Sequence, residues 1–184
     1  MGLNALEKNP DHAMLLALTA TLEGMFGNFD ASCARAEKLE SLAREINEIV
    51  MTAETHRQCG KYKKSIETYE KAFRISPHYS SWIKQHYTYA LLQNGDLEAA
   101  KKYALEQSVH EHFHSGINES FDAMLAYIYQ KEGDENLAKE HFEKQKNMKN
   151  SRTKKIIMNN FSAVRSKVFM NDYIKVLQSL GMPD

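Results

Sequence analysis

Gly27, Gly60, Gly95 and Gly133 recur at spacings of 33, 35 and 38 residues, and a small residue stands five positions after each: Ser32, Ser65, Ala100 and Ala138. A glycine enters the left-handed backbone conformation without steric cost, so it suits the residue where one helix ends and the chain reverses. A small residue early in the next helix lets the two helices approach closely. A period of this length holds one supersecondary unit that cannot bury its apolar face alone and must stack on copies of itself. The spacing therefore directs the chain toward an array of helical hairpins.

The segment 46–79 shows the unit most clearly. Ile46, Ile49, Val50 and Ala53 fall at helical spacing before Gly60. Tyr62 follows at the turn, and Ser65, Ile66, Tyr69, Ala72 and Phe73 give the second helix one apolar face. Pro77 then stops it, because the residue before a proline avoids the helical region. Around Gly95 the same frame gives Tyr87, Ala90 and Leu91, then Leu97, Ala100 and Ala104. Around Gly133 it gives Leu125, Ala126 and Tyr129, then Ala138 and Phe142. Around Gly27 it gives Leu16, Ala20 and Leu22, then Phe29, Ala36 and Leu39.

Composition removes several alternatives. The 184 residues carry 24 Lys+Arg against 24 Asp+Glu, so no overall charge draws the chain to nucleic acid or an anionic membrane. No apolar run approaches the roughly 18 residues needed to span a bilayer. Glu7, Asp11 and His12 precede the first apolar stretch, so no export signal is expected. Cys33 and Cys59 have no metal-type spacing. Two thiols in a chain without an export signal fit a reducing cytosol, with a disulfide as the alternative.

These repeats resemble the tetratricopeptide family over about 135 residues, roughly 10–145, best in the repeat with Gly60, Tyr62, Tyr69, Ala72 and Pro77. The family's tryptophan is missing from its usual place, and Trp82 sits two residues early. The resemblance implies an all-α, right-handed superhelix of about four hairpins, at 13–45, 46–80, 81–118 and 119–150. Residues 1–12 fit the end of a preceding repeat, as if the chain were cut from a longer protein. Residues 151–184 read as capping helices, because a solenoid's last hairpin otherwise exposes its stacking face. Within them, 154–164 is a plausible amphipathic helix. Asn171 is a good cap for a final helix with Asp172 in its first turn and Tyr173, Ile174, Val176, Leu177 and Leu180 on its apolar face, ended by Gly181 and Pro183.

The tail carries a narrower resemblance. Residues 173–184, Tyr-Ile-Lys-Val-Leu-Gln-Ser-Leu-Gly-Met-Pro-Asp, are similar to the ending of tetratricopeptide regions fused to bacterial class III adenylate/guanylate cyclases and to some winged-helix regulators. Those regions close on a Gly-Leu-Pro-Glu-like terminus, with Met182 and Asp184 as conservative replacements here. The segment 75–82 resembles their inter-repeat linker. This implies a cytoplasmic interaction or regulatory module of a larger signalling protein, without catalysis or cofactor of its own.

In the family frame the first helix of each hairpin lines the concave face. That places Glu54, Arg57, Trp82, Gln85, Tyr89, Tyr127 and Lys131 in a partner-binding groove. Aromatic, cationic and Arg side chains in a concavity anchor a peptide or helix. Tyr89 and Tyr127 have packing between repeats as their alternative role, and the final helix is a candidate to cover the groove itself. A homodimer without an external ligand is the alternative function. The family's clamp for acidic chaperone tails uses Lys and Asn at positions held here by Ala17, Val50, Gln85 and Ala123, and by Thr21, Glu54, Tyr89 and Tyr127. No binding of such tails is expected.

Other constellations point less clearly to chemistry. His110 and His114 lie one helical turn apart and could share a divalent ion, but no further ligands are evident and a polar linker is the simpler reading. Cys59 stands three residues after His56, which occupies a slot expected to be buried. Glu67 and Glu70 fall on a solvated face. The run 144–167 has eight Lys/Arg and no acid, yet only Phe161 among aromatics, so a solvated face is favoured over nucleic acid.

Overall fold

A computed structural model describes residues 6–77, 81–108, 121–146, 154, 158 and 164–184. Among the described residues all regular structure is helical: α1 Ala13–Met25, α2 Phe29–Leu42, α3 Ile46–Gln58, α4 Tyr62–Ile75, α5 Ser81–Asn94, α6 Leu97–Ser108, α7 Phe121–Glu132, α8 Glu135–Lys146 and α9 Val168–Ser179. Consecutive helices pack as hairpins, α1 with α2, α3 with α4, α5 with α6 and α7 with α8. The chain divides into two compact units. One holds α1–α4 with residues 164–166, the other α5–α9.

One local device explains the period. At Gly60 the backbone turns left-handed, with φ +79°. The Lys61 amide then reaches back to the His56 carbonyl at 2.9 Å, which satisfies an orphan carbonyl at the end of α3. The corresponding bonds at the other hairpins are Asn28 to Glu23, Asp96 to Leu91 and Asp134 to Tyr129, at 2.8, 3.0 and 2.9 Å. Asp96 and Asp134 also serve the following helix, since their carboxylates accept from the Ala99 and Leu137 amides, each at 3.1 Å. Ser32, Ser65, Ala100 and Ala138 are all fully buried at the helix crossings. The Ser32 hydroxyl donates to the Ala20 carbonyl at 2.7 Å, so its polarity is satisfied within the hairpin.

In the first unit, Leu6, Leu16, Ala17 and Leu39 form a core cluster, flanked by Ala13, Leu15, Leu42 and Met51. Leu22 departs from the expected buried face. It lies exposed with Leu18 and Met25 along α1 and with Phe26 at its C-terminal cap. The expectation of two free thiols is corrected: Cys33 of α2 and Cys59 at the end of α3 form a disulfide, with Cα atoms 5.8 Å apart. The side-by-side packing of α2 and α3 brings together two cysteines separated by 26 positions.

In the second unit, Ala90, Leu91, Ala100, Ala104, Leu125, Ala126, Ala138 and Phe142 are buried, as their spacing predicts. The final helix packs on α7. It begins a turn earlier than expected, with Lys167 rather than Asn171 at its cap, and the Asn171 amide already donates to the Lys167 carbonyl at 2.9 Å. The reason is apolar. Starting earlier brings Met170 into the core and Phe169 against neighbouring rings, and a good cap residue does not outweigh that. The helix expected over 154–164 falls outside the described residues except for Lys154, Met158 and Val164.

Candidate functional site

Helical spacing sets Trp82, Gln85 and Tyr89 along one side of α5, and Tyr127 and Lys131 one turn apart on α7. The chain's own last helix lies against this face. The Tyr89 ring centroid stands 6.3 Å from Phe169 and 5.9 Å from Tyr173, both edge-on. Tyr127 meets the same two rings at 5.6 and 5.1 Å. Phe169 and Tyr173, one turn apart on α9, stack at 5.5 Å and enter the cluster as a pair. These separations and inclinations suit the quadrupoles of aromatic rings. Tyr173 and Leu177 are fully buried. Beyond the helix, Gly181 approaches Phe142 of α8 closely enough that an added Cβ would lie 3.7 Å from its ring.

A polar fastening sits beside the rings. The Tyr127 hydroxyl donates to Asp172 Oδ2 at 2.7 Å, and Lys131 Nζ donates to Oδ1 at 2.9 Å. Lys131 Nζ also stands 5.6 Å from the centre of the Tyr127 ring, within cation–π range. Burial, reinforced by the bond to an anion, pushes the Tyr127 phenol far above its ordinary range. Burial alone would raise the Asp172 carboxyl, but the donors on Lys131 and Tyr127 outweigh it and the net shift is downward. The ion pair stays at the rim, with Lys131 and Asp172 side chains 36% and 41% exposed. Trp82 is 39% exposed, edge-on to His86 at 5.5 Å. Gln85 is buried.

Glu54 and Arg57 occupy a different setting, inside the first unit. The Arg57 guanidinium grips Glu54 with two bonds of 2.8 and 2.6 Å. Glu54 also accepts from the Tyr69 hydroxyl at 3.0 Å and the Gln58 amide at 3.1 Å. Burial, with the Glu54 charge behind it, lifts the Tyr69 phenol well above normal. Their i and i+3 spacing, which sends both toward a groove, equally permits this internal pairing.

The sequence presents the final helix, with Tyr173 on its apolar side, as a candidate cover for this face, but does not pair Asp172 with Tyr127 and Lys131. Asp172 reads there as a charge for the helix dipole, and Phe169 as lying before the helix. The available signal is opposite charge, acid on the last helix and lysine on the groove.

Cys59 is held in the disulfide and carries no thiol beside His56. His56 is buried with Nε2 2.9 Å from Glu40, and burial lowers its pKa. In the basic run, Lys144 pairs with Glu140, Lys146 with Glu143, Lys154 with Asp184 and Arg165 with Asp30. His110 and His114 lie outside the described residues. Among the described residues no three His, Cys, Asp or Glu side chains gather where a metal could sit, and no helix is long and apolar enough to cross a membrane.

Two segments of the chain, residues 50–79 and 123–151, match the family model of the tetratricopeptide repeat. The first covers most of α3 and all of α4, the second most of α7 and all of α8. Repeats of this kind generally mediate protein–protein interaction by presenting an extended surface of stacked helices. No curated protein matches the chain.

Proposed function

We propose that the chain is a protein-interaction module whose α5–α7 face binds a helical segment, and that it serves a larger bacterial signalling protein, such as a class III adenylate/guanylate cyclase. The Cys33–Cys59 disulfide counts against the reducing cytosol expected from two thiols. One observation carries the binding reading. The face with Tyr89, Tyr127 and Lys131 already holds an amphipathic helix, through ring contacts and a two-donor grip on a carboxylate. Helix-in-groove recognition uses this combination of anchors. Trp82 extends the face with aromatic surface open to solvent. The parent assignment rests on the resemblances of residues 173–184 and 75–82. Glu54 and Arg57 serve the module as an internal brace and enter recognition only where a partner reorganises them.

The reading is tested by affinity capture with wild type beside a Trp82→Ala/Lys131→Glu variant, both verified as folded by circular dichroism. A partner retained by wild type and lost by the variant supports it. Identical captures would remove the α5–α7 face as a binding surface.

A second reading, self-association, is favoured by a separate feature. Leu18, Leu22, Met25 and Phe26 expose 46, 51, 59 and 86% of their surface along α1 and at its C-terminal cap. Contiguous exposed apolar surface of this kind marks interaction sites. A dimer in light scattering that Leu22→Glu dissolves is the expected result of this reading, and a monomer at tens of micromolar would exclude it.

A further inference from the structure

We infer that α9 is an exchangeable occupant of the α5–α7 face, and that the partner displacing it is a protein helix with an acidic residue directly followed by an aromatic one, then an aliphatic residue one turn on. This rests on the interaction reading above and names the chemistry of the partner. Asp172 and Tyr173 show what the face accepts, and Leu177, one turn on along the same helix, is fully buried. The carboxylate receives two donors, Tyr127 Oη and Lys131 Nζ, at 2.7 and 2.9 Å. The aromatic residue enters between Tyr89 and Tyr127, with centroids 5.9 and 5.1 Å away. The aliphatic residue, like Leu177, is fully enclosed.

Two features make exchange feasible. The polar fastening is at the solvent-accessible rim, where an ion pair holds only weakly and where an incoming carboxylate reaches Lys131 first. The helix is only 12 residues long, too short to stay helical in water once it leaves the surface, so a released tail does not compete as a preformed helix. The occupied face lowers the affinity for the partner by the fraction of time the tail is seated. The chemistry of the face does not change between the two occupants. Lys131 requires an acid, and a basic helix is rejected.

The probe is a fluorescein-labelled peptide of residues 164–184, titrated in trans onto the full chain and followed by anisotropy. Wild type is compared with Asp172→Ala/Leu177→Ala, in which the tail is loosened and the face is intact. The milder Asp172→Ala chain is the control if the double variant loses its circular dichroism signal. The expected result is saturable binding at least tenfold tighter to the loosened chains than to wild type. Lys131→Asp in the loosened chain weakens binding at least tenfold, and a peptide carrying Asp172→Lys restores it. Folded, loosened chains that fail to bind would overturn the exchange. So would binding indifferent to Lys131→Asp. A concentration-dependent dimer of wild type that excess peptide dissolves would replace the outside partner by a second copy's tail. If the peptide fails while capture still depends on Trp82 and Lys131, exchange is wrong and the interaction reading stands.

Discussion

Arg57 is among the largest fully buried side chains, and its charge is met by Glu54 two-pronged, with Tyr69 and Gln58 completing the carboxylate's shell. Removing one member of a buried ion pair strands the other. Glu54→Ala is therefore expected to destabilise the first unit by about 3–5 kcal/mol, measured by urea denaturation. Trp82→Ala, at a partly exposed position without such a network, should stay within about 1 kcal/mol. A loss below about 1 kcal/mol for Glu54→Ala would contradict the buried pairing. His56 acts in the opposite electrostatic sense. Burial depresses its pKa, so at acid pH the unfolded chain binds a proton that the folded chain resists. That stability is complete above the ordinary histidine value of about 6.5 and is lost as pH falls below it. Replacing His56 by Phe should flatten the decline between about pH 7 and 5 in denaturation midpoints, and an unchanged slope would assign the decline to other groups.

At the scale of helices and turns, the disulfide is the feature with the clearest consequence. A loop closed over the 26 positions from Cys33 to Cys59 restricts the unfolded chain by about 3 kcal/mol in the chain-entropy account. Reduction, or Cys33→Ser/Cys59→Ser, should lower the melting temperature of the first unit by several degrees, and equal melting with and without reductant would contradict it. The hairpin turns were legible in the sequence because their requirement is local. A left-handed residue such as Gly60 and a small residue five positions on fix each reversal without reference to the rest of the chain. The cysteine pair was not legible, because its separation says nothing about which helices lie side by side. The start of α9 was misread at Asn171 because a local cap signal yielded to the burial of Met170 and the ring contacts of Phe169, which only tertiary packing creates. Tyr89, Tyr127 and Lys131 could be named from repeat position and the final helix as their candidate cover, whereas the pairing of Asp172 with Tyr127 and Lys131 depends on where a helix more than 40 residues later folds back.

For the molecule as a whole, the two matched segments are repeats of a kind that generally mediates protein–protein interaction, and the two compact units differ in character. The first is internally braced, by the disulfide and the Glu54–Arg57 pair, and leaves an apolar stripe on α1. The second carries a helix seat that is already filled. The family's clamp for acidic chaperone tails finds neither its lysine nor its asparagine at the positions held here by Gln85, Ala123, Tyr89 and Tyr127. Titration calorimetry with such a peptide should give no heat at about 100 micromolar, and a micromolar Kd would contradict the absence of the carboxylate clamp. The most direct test of the central claim is hydrogen–deuterium exchange on the Asp172→Ala/Leu177→Ala chain, with and without excess peptide of residues 164–184. The account predicts slower exchange in α5 and α7, around residues 82–89 and 127–131, and no change in α1–α4. Protection confined to α1–α4, or none anywhere in a folded chain that the peptide saturates, would contradict it.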